Sequence, residues 1–220
     1  MTRRLATLAA LALVLAACSA EASPTPAAPC PTGPPTSVSA QASLTDAGAA
    51  TVTVSGAVEG EFVIDLLGDA ALISTANFVD LAHCGFYDGL TFHRVLAGFV
   101  IQAGDPGTRE NRGDFAELGR GGPGYQLEIE PPPDGLRYDP YVVAMANNGS
   151  TQGSQFFIGL VDLDAALRQV GVYTIVGRVV SGTEVIDEIA TVPVNDPRIG
   201  LPLTPVVIES IVVTDAAADE

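Results

Sequence analysis

The chain has 220 residues, 47% of them apolar, with 26 acidic side chains against 10 basic ones and a formal net charge of −16. That apolar share over that length buries one core, which excludes a disordered tail and a miniature disulfide scaffold. Every basic side chain is an arginine, and so acidic a surface excludes binding driven by counterion release from nucleic acid, or by basic side chains on anionic lipid.

At the N-terminus, Arg3 and Arg4 precede Leu5 to Ala17, an apolar run rich in Leu and Ala. It is too short to cross a bilayer as a mature helix and has the layout of a secretory signal. The run ends in Leu15-Ala16-Ala17-Cys18, which resembles the lipobox of bacterial lipoproteins, where the Cys is acylated on sulfur and becomes the new N-terminus. An ordinary signal peptide with an incidental Cys is the alternative. The resemblance implies a signal over 1–17, lipidation at Cys18 and residence on the extracytoplasmic side of a membrane, periplasmic or at the cell surface. Several acyl chains, at about 0.8 kcal/mol per buried CH₂, hold such a chain firmly. Residues 18–45 are rich in Ser, Ala, Thr and Pro, with Pro24, Pro26, Pro29, Pro31, Pro34 and Pro35, and read as an extended, semi-rigid tether. Cys30 lies in it and Cys84 beyond it. Export permits a bridge between the two, a flexible tether gives no geometric reason for one, and free thiols or intermolecular pairing stay open.

Residues 46–215 read as one domain, with 216–220 a frayed acidic tail. Thr51 to Ser55 and Glu61 to Leu67 are rich in β-branched and apolar residues around a Gly56 to Gly60 turn, a hairpin. Leu72 to Cys84 carries apolar residues at helical spacing, and Gly85 stands where a glycine ends a helix. Strands are expected over Thr91 to Val95, Phe99 to Ala103, Tyr125 to Ile129, Tyr141 to Ala146, Phe156 to Leu160, Tyr173 to Val179 and Val206 to Thr214, with a second helix over Thr183 to Ala190. Many short strands and two helices argue for a mainly β fold, a closed or nearly closed antiparallel barrel.

Two stretches carry the chemistry. The first is Gly85-Phe86-Tyr87-Asp88-Gly89-Leu90-Thr91-Phe92-His93-Arg94-Val95 followed by Gly98-Phe99-Val100-Ile101-Gln102-Ala103-Gly104-Asp105-Pro106. The second is Met145-Ala146-Asn147-Asn148-Gly149-Ser150-Thr151-Gln152-Gly153-Ser154-Gln155-Phe156-Phe157-Ile158. With Gly121-Gly122-Pro123-Gly124-Tyr125 and Tyr173-Thr174-Ile175-Val176-Gly177, they resemble the cyclophilin family of peptidyl-prolyl cis/trans isomerases, from about Gly60 to Val213. The resemblance implies a closed eight-stranded antiparallel β-barrel capped by two α-helices. It also implies a monomer that acts without cofactor or metal on proline-containing unfolded or exported polypeptides, or a binding module for such segments with little turnover. By the family's motifs Arg94 donates to the prolyl nitrogen, Gln102 holds substrate backbone and Asn147 contacts the bound peptide. Phe99, Met145 and Phe157 form the proline pocket, Ala146 and Gln155 line it, and Tyr173 is a rim residue.

The reaction suits such residues. Rotation about X–Pro must break amide resonance, a barrier of about 18–20 kcal/mol, although the end states differ by only about 0.5–1 kcal/mol. A fixed cation near the prolyl nitrogen binds the twisted amide, whose lone pair is free, better than either planar form. Zinc is not expected, because adjacent His83 and Cys84 point about 100° apart on a helix and His93 brings no fourth ligand. The Gly119 to Gly124 run lacks the Lys-Ser/Thr ending of a phosphate cradle. Some positions depart from the family pattern: Ala97, Ala103 and Val176 replace more usual residues. The 161–172 segment has no Trp for the pocket wall, leaving Leu167 as the wall residue and tight cyclosporin binding unexpected. The stretch between Pro106 and Gly121 is longer than in bacterial relatives and reads as a solvated insertion beside the site.

Overall fold

Period-two alternation of β-branched and apolar side chains builds most of the sheet. A computed structural model describes residues 28–45, 47–109 and 118–215. Arg3, Arg4, the 1–17 signal, Cys18, residues 110–117 of the inserted loop and the 216–220 tail lie outside them. Helix α1 (Ser37–Leu44) is followed by strands β1 (Ala47–Gly56) and β2 (Gly60–Leu66), helix α2 (Leu72–His83), β3 (Arg94–Leu96) and β4 (Val100–Ala103). After a short 3₁₀ turn come β5 (Leu127–Glu128), β6 (Val142–Asn147), β7 (Thr151–Gly159), α3 (Asp164–Val170), β8 (Ile175–Ser181), α4 (Thr183–Ile189) and β9 (Val206–Asp215).

The fold is mainly antiparallel β, as the spacing of short strands implies. Eight strands lie on one path, β3-β4-β7-β6-β8-β2-β1-β9, and β5 adds to β7. The expected closure is corrected. Among the described residues no ladder joins β3 to β9; the gap is crossed by one bridge, Thr91 to Val207, and by backbone hydrogen bonds from Gly89 and Phe92 to the carbonyls of Ile208 and Val206. The expectation of two helices is also corrected: α1 and α3 stand beside α2 and α4. Both are short and broken by no strong apolar period, so neither could be read before its packing partner was known.

Helix α1 also shortens the expected 18–45 tether. Thr36 caps it through a reciprocal pair with Ser39, Ala40 is fully buried, and Ser43 donates to Asp80 of α2 at 2.7 Å. A disulfide joins Cys30 to Cys84 at the end of α2, with Cα atoms 5.1 Å apart. The open question of thiol pairing is thereby answered by the docking of α1, which brings a distant segment within bridging range. Helix α2 has no side-chain cap of its own; the Glu130 carboxylate accepts from the Ile73 and Ser74 amides instead. As expected, Gly85 follows its last turn at φ +71°.

The barrel interior is filled by Val52, Phe62, Ile64, Phe78, Ile101 and Ile158 among others. Phe156 packs edge-on to Phe78 and Tyr87 at 5.6 and 5.7 Å. His93 is 1% exposed, and burial holds its imidazole below the ordinary histidine value although Asp105 works in the opposite direction. Neutral in the fold, it must take up a proton on unfolding once pH drops below the unfolded value of about 6.5. Stability from this group is therefore complete above that pH and is lost as pH falls below it. Melting temperature is expected to decline from pH 7 to pH 5 more steeply in the native chain than in His93→Gln. Equal slopes in a pair of thermal scans would refute the assignment.

Candidate active site

Residues that pair directly across antiparallel strands share a face of the sheet. Arg94 of β3 pairs with Gln102 of β4, Gln102 with Phe157 of β7, and Phe157 with Ala144 of β6. This row lies on the outer face, because the alternate residues Val95, Ile101, Ile158 and Val143 fill the interior. The sheet thus sets a guanidinium, an amide and an aromatic ring side by side.

The polar end is a chain of hydrogen bonds. Arg94 Nη1 donates to Gln102 Oε1 at 3.5 Å, Gln102 Nε2 to Gln155 Oε1 at 2.9 Å, and Gln155 Nε2 to the Gly121 carbonyl at 2.8 Å. Among the described residues Arg94 meets no carboxylate within ion-pair distance. Partial burial lowers its pKa, with Tyr173 opposing; a guanidinium starts so high that it stays cationic. Behind Gln155 the fully buried Asp105 accepts from the Gly119 and Gly121 amides at 2.6 and 3.1 Å. Gly104 is required beside it, since a Cβ there would stand 2.5 Å from the Ser154 carbonyl oxygen at φ +92°.

The apolar end is a second cluster, outside the barrel. Val100, Phe157, Leu163 and Leu167 are buried in it, with Phe99, Ala146 and Tyr173 packed at its edge. The Tyr173 ring meets Phe157 edge-on at 5.5 Å. Asn147 reaches the adjoining wall, where its amide nitrogen donates to the Val172 carbonyl and its oxygen accepts from the Gly149 amide. Its side chain thus frames the site.

The structure therefore gathers Arg94, Gln102, Gln155, Phe99, Phe157, Ala146, Asn147, Leu167 and Tyr173. It does not bring Met145 there. Met145 is fully buried inside the barrel, paired with Phe156; adjacent strand residues point to opposite faces, so Met145 and Ala146 cannot both line the pocket. Val100 takes the apolar role instead. The same alternation could have found it, because Val100 lies two residues from Gln102 and shares its face. Leu163 and Tyr138 also belong to this cluster, and nothing local in their segments marks them. Cys84 is engaged with Cys30, which removes it from any ligand set.

Comparison with known proteins decides the family. Residues 50–213 match the family model described as cyclophilin type peptidyl-prolyl cis-trans isomerase/CLD. The chain belongs to the cyclophilins. Peptidyl-prolyl cis-trans isomerase B of Streptomyces anulatus is 42% identical over 172 residues, covering 70% of this chain and 91% of that protein. Peptidyl-prolyl cis-trans isomerase A of Mycobacterium tuberculosis is 40% identical over 177 residues, covering 70% and 87%. Among solved structures, a cyclophilin type isomerase of Cryptosporidium parvum superposes with a TM-score of 0.64 at 26% identity, covering 79% of this chain and 99% of that one. The same protein crystallised in the presence of the dipeptide Ala-Pro gives 0.62 at 27% identity, covering 75% and 98%.

In this cyclophilin the pocket rim is held from behind. The Tyr138 hydroxyl donates to the Tyr173 carbonyl at 2.8 Å and accepts from the Tyr173 amide at 3.0 Å. Its ring is buried in the outer cluster, with the Arg168 guanidinium 5.5 Å above it. Tyr138→Phe keeps the ring and releases both backbone groups of Tyr173. At about 0.5–1.5 kcal/mol per hydrogen bond, KM for a proline peptide is expected to rise roughly fivefold. The turnover number should change little, because Arg94 sits on β3 and is hydrogen-bonded to Gln102, not to Tyr138 or Tyr173. An unchanged KM beside a lowered melting temperature would show that Tyr138 serves stability alone.

Proposed function

We propose that this cyclophilin accelerates rotation about X–Pro bonds in exported polypeptides, with Arg94 as the donor to the prolyl nitrogen. The observation that carries the reading is the row Arg94, Gln102, Phe157 on one sheet face, beside the apolar cluster of Val100, Phe99 and Leu167. The cluster takes the proline ring by burial of apolar surface. Arg94 then stands ready for the nitrogen lone pair that appears only as the amide twists, so its interaction is stronger in the transition state than in either planar state. Gln102, hydrogen-bonded on both sides, orients Arg94 and offers the substrate backbone a partner. The Ala-Pro dipeptide used with the Cryptosporidium relative supports a short proline segment as the ligand.

The Leu15 to Cys18 motif supports lipid anchoring through Cys18, and the Cys30–Cys84 disulfide supports an oxidising compartment, because thiols stay reduced in the cytosol. On this reading the enzyme works as a monomer held outside a membrane by its acylated N-terminus, where proline isomerisation limits the folding of exported chains. The test is the cis-to-trans rate of a short X–Pro peptide with and without the purified chain. Acceleration supports the isomerase. Binding of the peptide with no acceleration would replace it by a proline-segment-binding chaperone, consistent with a wall that lacks Trp. Fatty-acid labelling that persists in Cys18→Ser would overturn the anchor.

A further inference from the structure

Beside the row Arg94, Gln102, Phe157 lies a cavity of about 710 Å³, whose lining includes Gln102, Ala146, Asn147 and Gln155 of the candidate site. A peptide with its proline at Phe157 therefore continues into this cavity, since an extended chain covers only about 3.3–3.6 Å per residue. Its lip is the segment from Gly119 to Gly122. Resting on the isomerase reading above, we propose that Arg120 on this lip makes the enzyme selective for X–Pro segments that carry a carboxylate within three residues of the proline.

The lip is rigidly held. Asp105 Oδ2 accepts from the amides on both sides of Arg120, those of Gly119 and Gly121, while the Gly121 carbonyl accepts from Gln155. Gly121 fits only without a side chain, because a Cβ would run into the Asp105 carboxylate. Arg120 is thus set at the mouth by a buried carboxylate, with its own side chain exposed.

Among the described residues Arg120 is the one charged side chain lining the cavity; the other described walls are glycines, amides, hydroxyls and Ala146. Tyr125, on the same wall, is pushed up to about 12 by burial and by Asp80, so it stays neutral. Of the other described arginines, Arg94 of the sheet row also lacks a carboxylate partner and is turned to Gln102; the rest are engaged. Arg137, Arg168, Arg178 and Arg198 are paired with aspartates, and Arg109 donates to the Asp88 and Phe86 carbonyls. No described residue holds Arg120. A guanidinium is the side chain best shaped to take a carboxylate through two parallel hydrogen bonds. The net charge of −16 repels acidic peptides at a distance, but screening confines that field to about 8 Å at physiological salt, and the buried Asp105 is taken up by the Gly119 and Gly121 amides, which leaves Arg120 to act on a peptide at close range.

The test uses the full chain and one X–Pro peptide with Gln, Glu or Lys placed in turn at each of the three positions on either side of the proline. At one position or more, kcat/KM for Glu is expected to exceed that for Gln by about threefold, with Lys below Gln, and the preference to shrink as salt rises. Arg120→Gln should bring the Glu-to-Gln ratio to about one, and Arg120→Glu should invert it; each ratio is internal to one protein, so a general change in activity does not mimic it. A ratio near one at every position in the native chain, or a ratio unchanged in both variants, overturns the selectivity and leaves the isomerase standing. Failure to accelerate any of the peptides overturns the isomerase reading and this inference with it.

Discussion

Arg94→Ala is expected to lower kcat/KM for an X–Pro peptide by about 10²–10³, the range seen when one preorganised transition-state donor is removed. The loss should fall on the turnover number rather than on KM. The ring-binding surface comes from Val100, Phe99, Phe157 and Leu167, on β4, β7, α3 and the turn before β4, and none of these depends on Arg94 for its position. The fold should persist, because Arg94 is half-buried on a three-residue strand and, among the described residues, its side chain makes one hydrogen bond, the 3.5 Å one to Gln102. Arg94→Lys keeps the charge and loses the planar fork, so it should recover only part of the rate. Full activity in a folded Arg94→Ala protein would exclude the proposed mechanism.

The second large effect is on stability. Replacing Cys30 and Cys84 by Ser together is expected to lower the unfolding free energy by about 2–4 kcal/mol, read as a shift of the denaturant midpoint. The bridge spans 54 positions of sequence, and closing a loop of that length removes about 4 kcal/mol of chain entropy from the unfolded state. The lower end allows for what α1 keeps without the bridge: burial of Ala40, the Thr36 cap and the Ser43 to Asp80 hydrogen bond. Isomerase activity of the folded double variant should match the native chain, because no site residue lies on the 28–45 segment or on α2. An unchanged midpoint would show that the docked segment adds nothing to the stability of the barrel.

These effects also mark where local pattern stops and packing begins. The β1–β2 hairpin, α2 with its terminal Gly85, α4 and β9 were legible along the chain, because alternation, helical spacing and a positive-φ glycine are local properties. Arg94, Gln102, Phe157 and Gln155 were legible for another reason: they stand in motifs whose spacing resembles one family. A motif names neighbours in sequence, however, and a strand sends neighbours to opposite faces. Motif spacing therefore puts Met145 in the pocket and passes over Val100, although the register of β6 on β7 puts Met145 inside with Phe156 and strand alternation puts Val100 outside with Gln102.

The sequence by itself determined most strands and two helices of the core, the mainly antiparallel fold and the motifs that carry Arg94, Gln102 and Phe157. Only the tertiary structure decided that the sheet is stitched rather than laddered between β3 and β9, that Cys30 bonds Cys84, and that α1 belongs to the domain. It alone placed α3 behind the pocket and Asp105 beneath Arg120. In each case the deciding contact joins segments far apart in the chain, and its energy exists only once the fold has brought them together: burial for α1 and α3, loop closure for the disulfide, hydrogen bonding for the Asp105 lip.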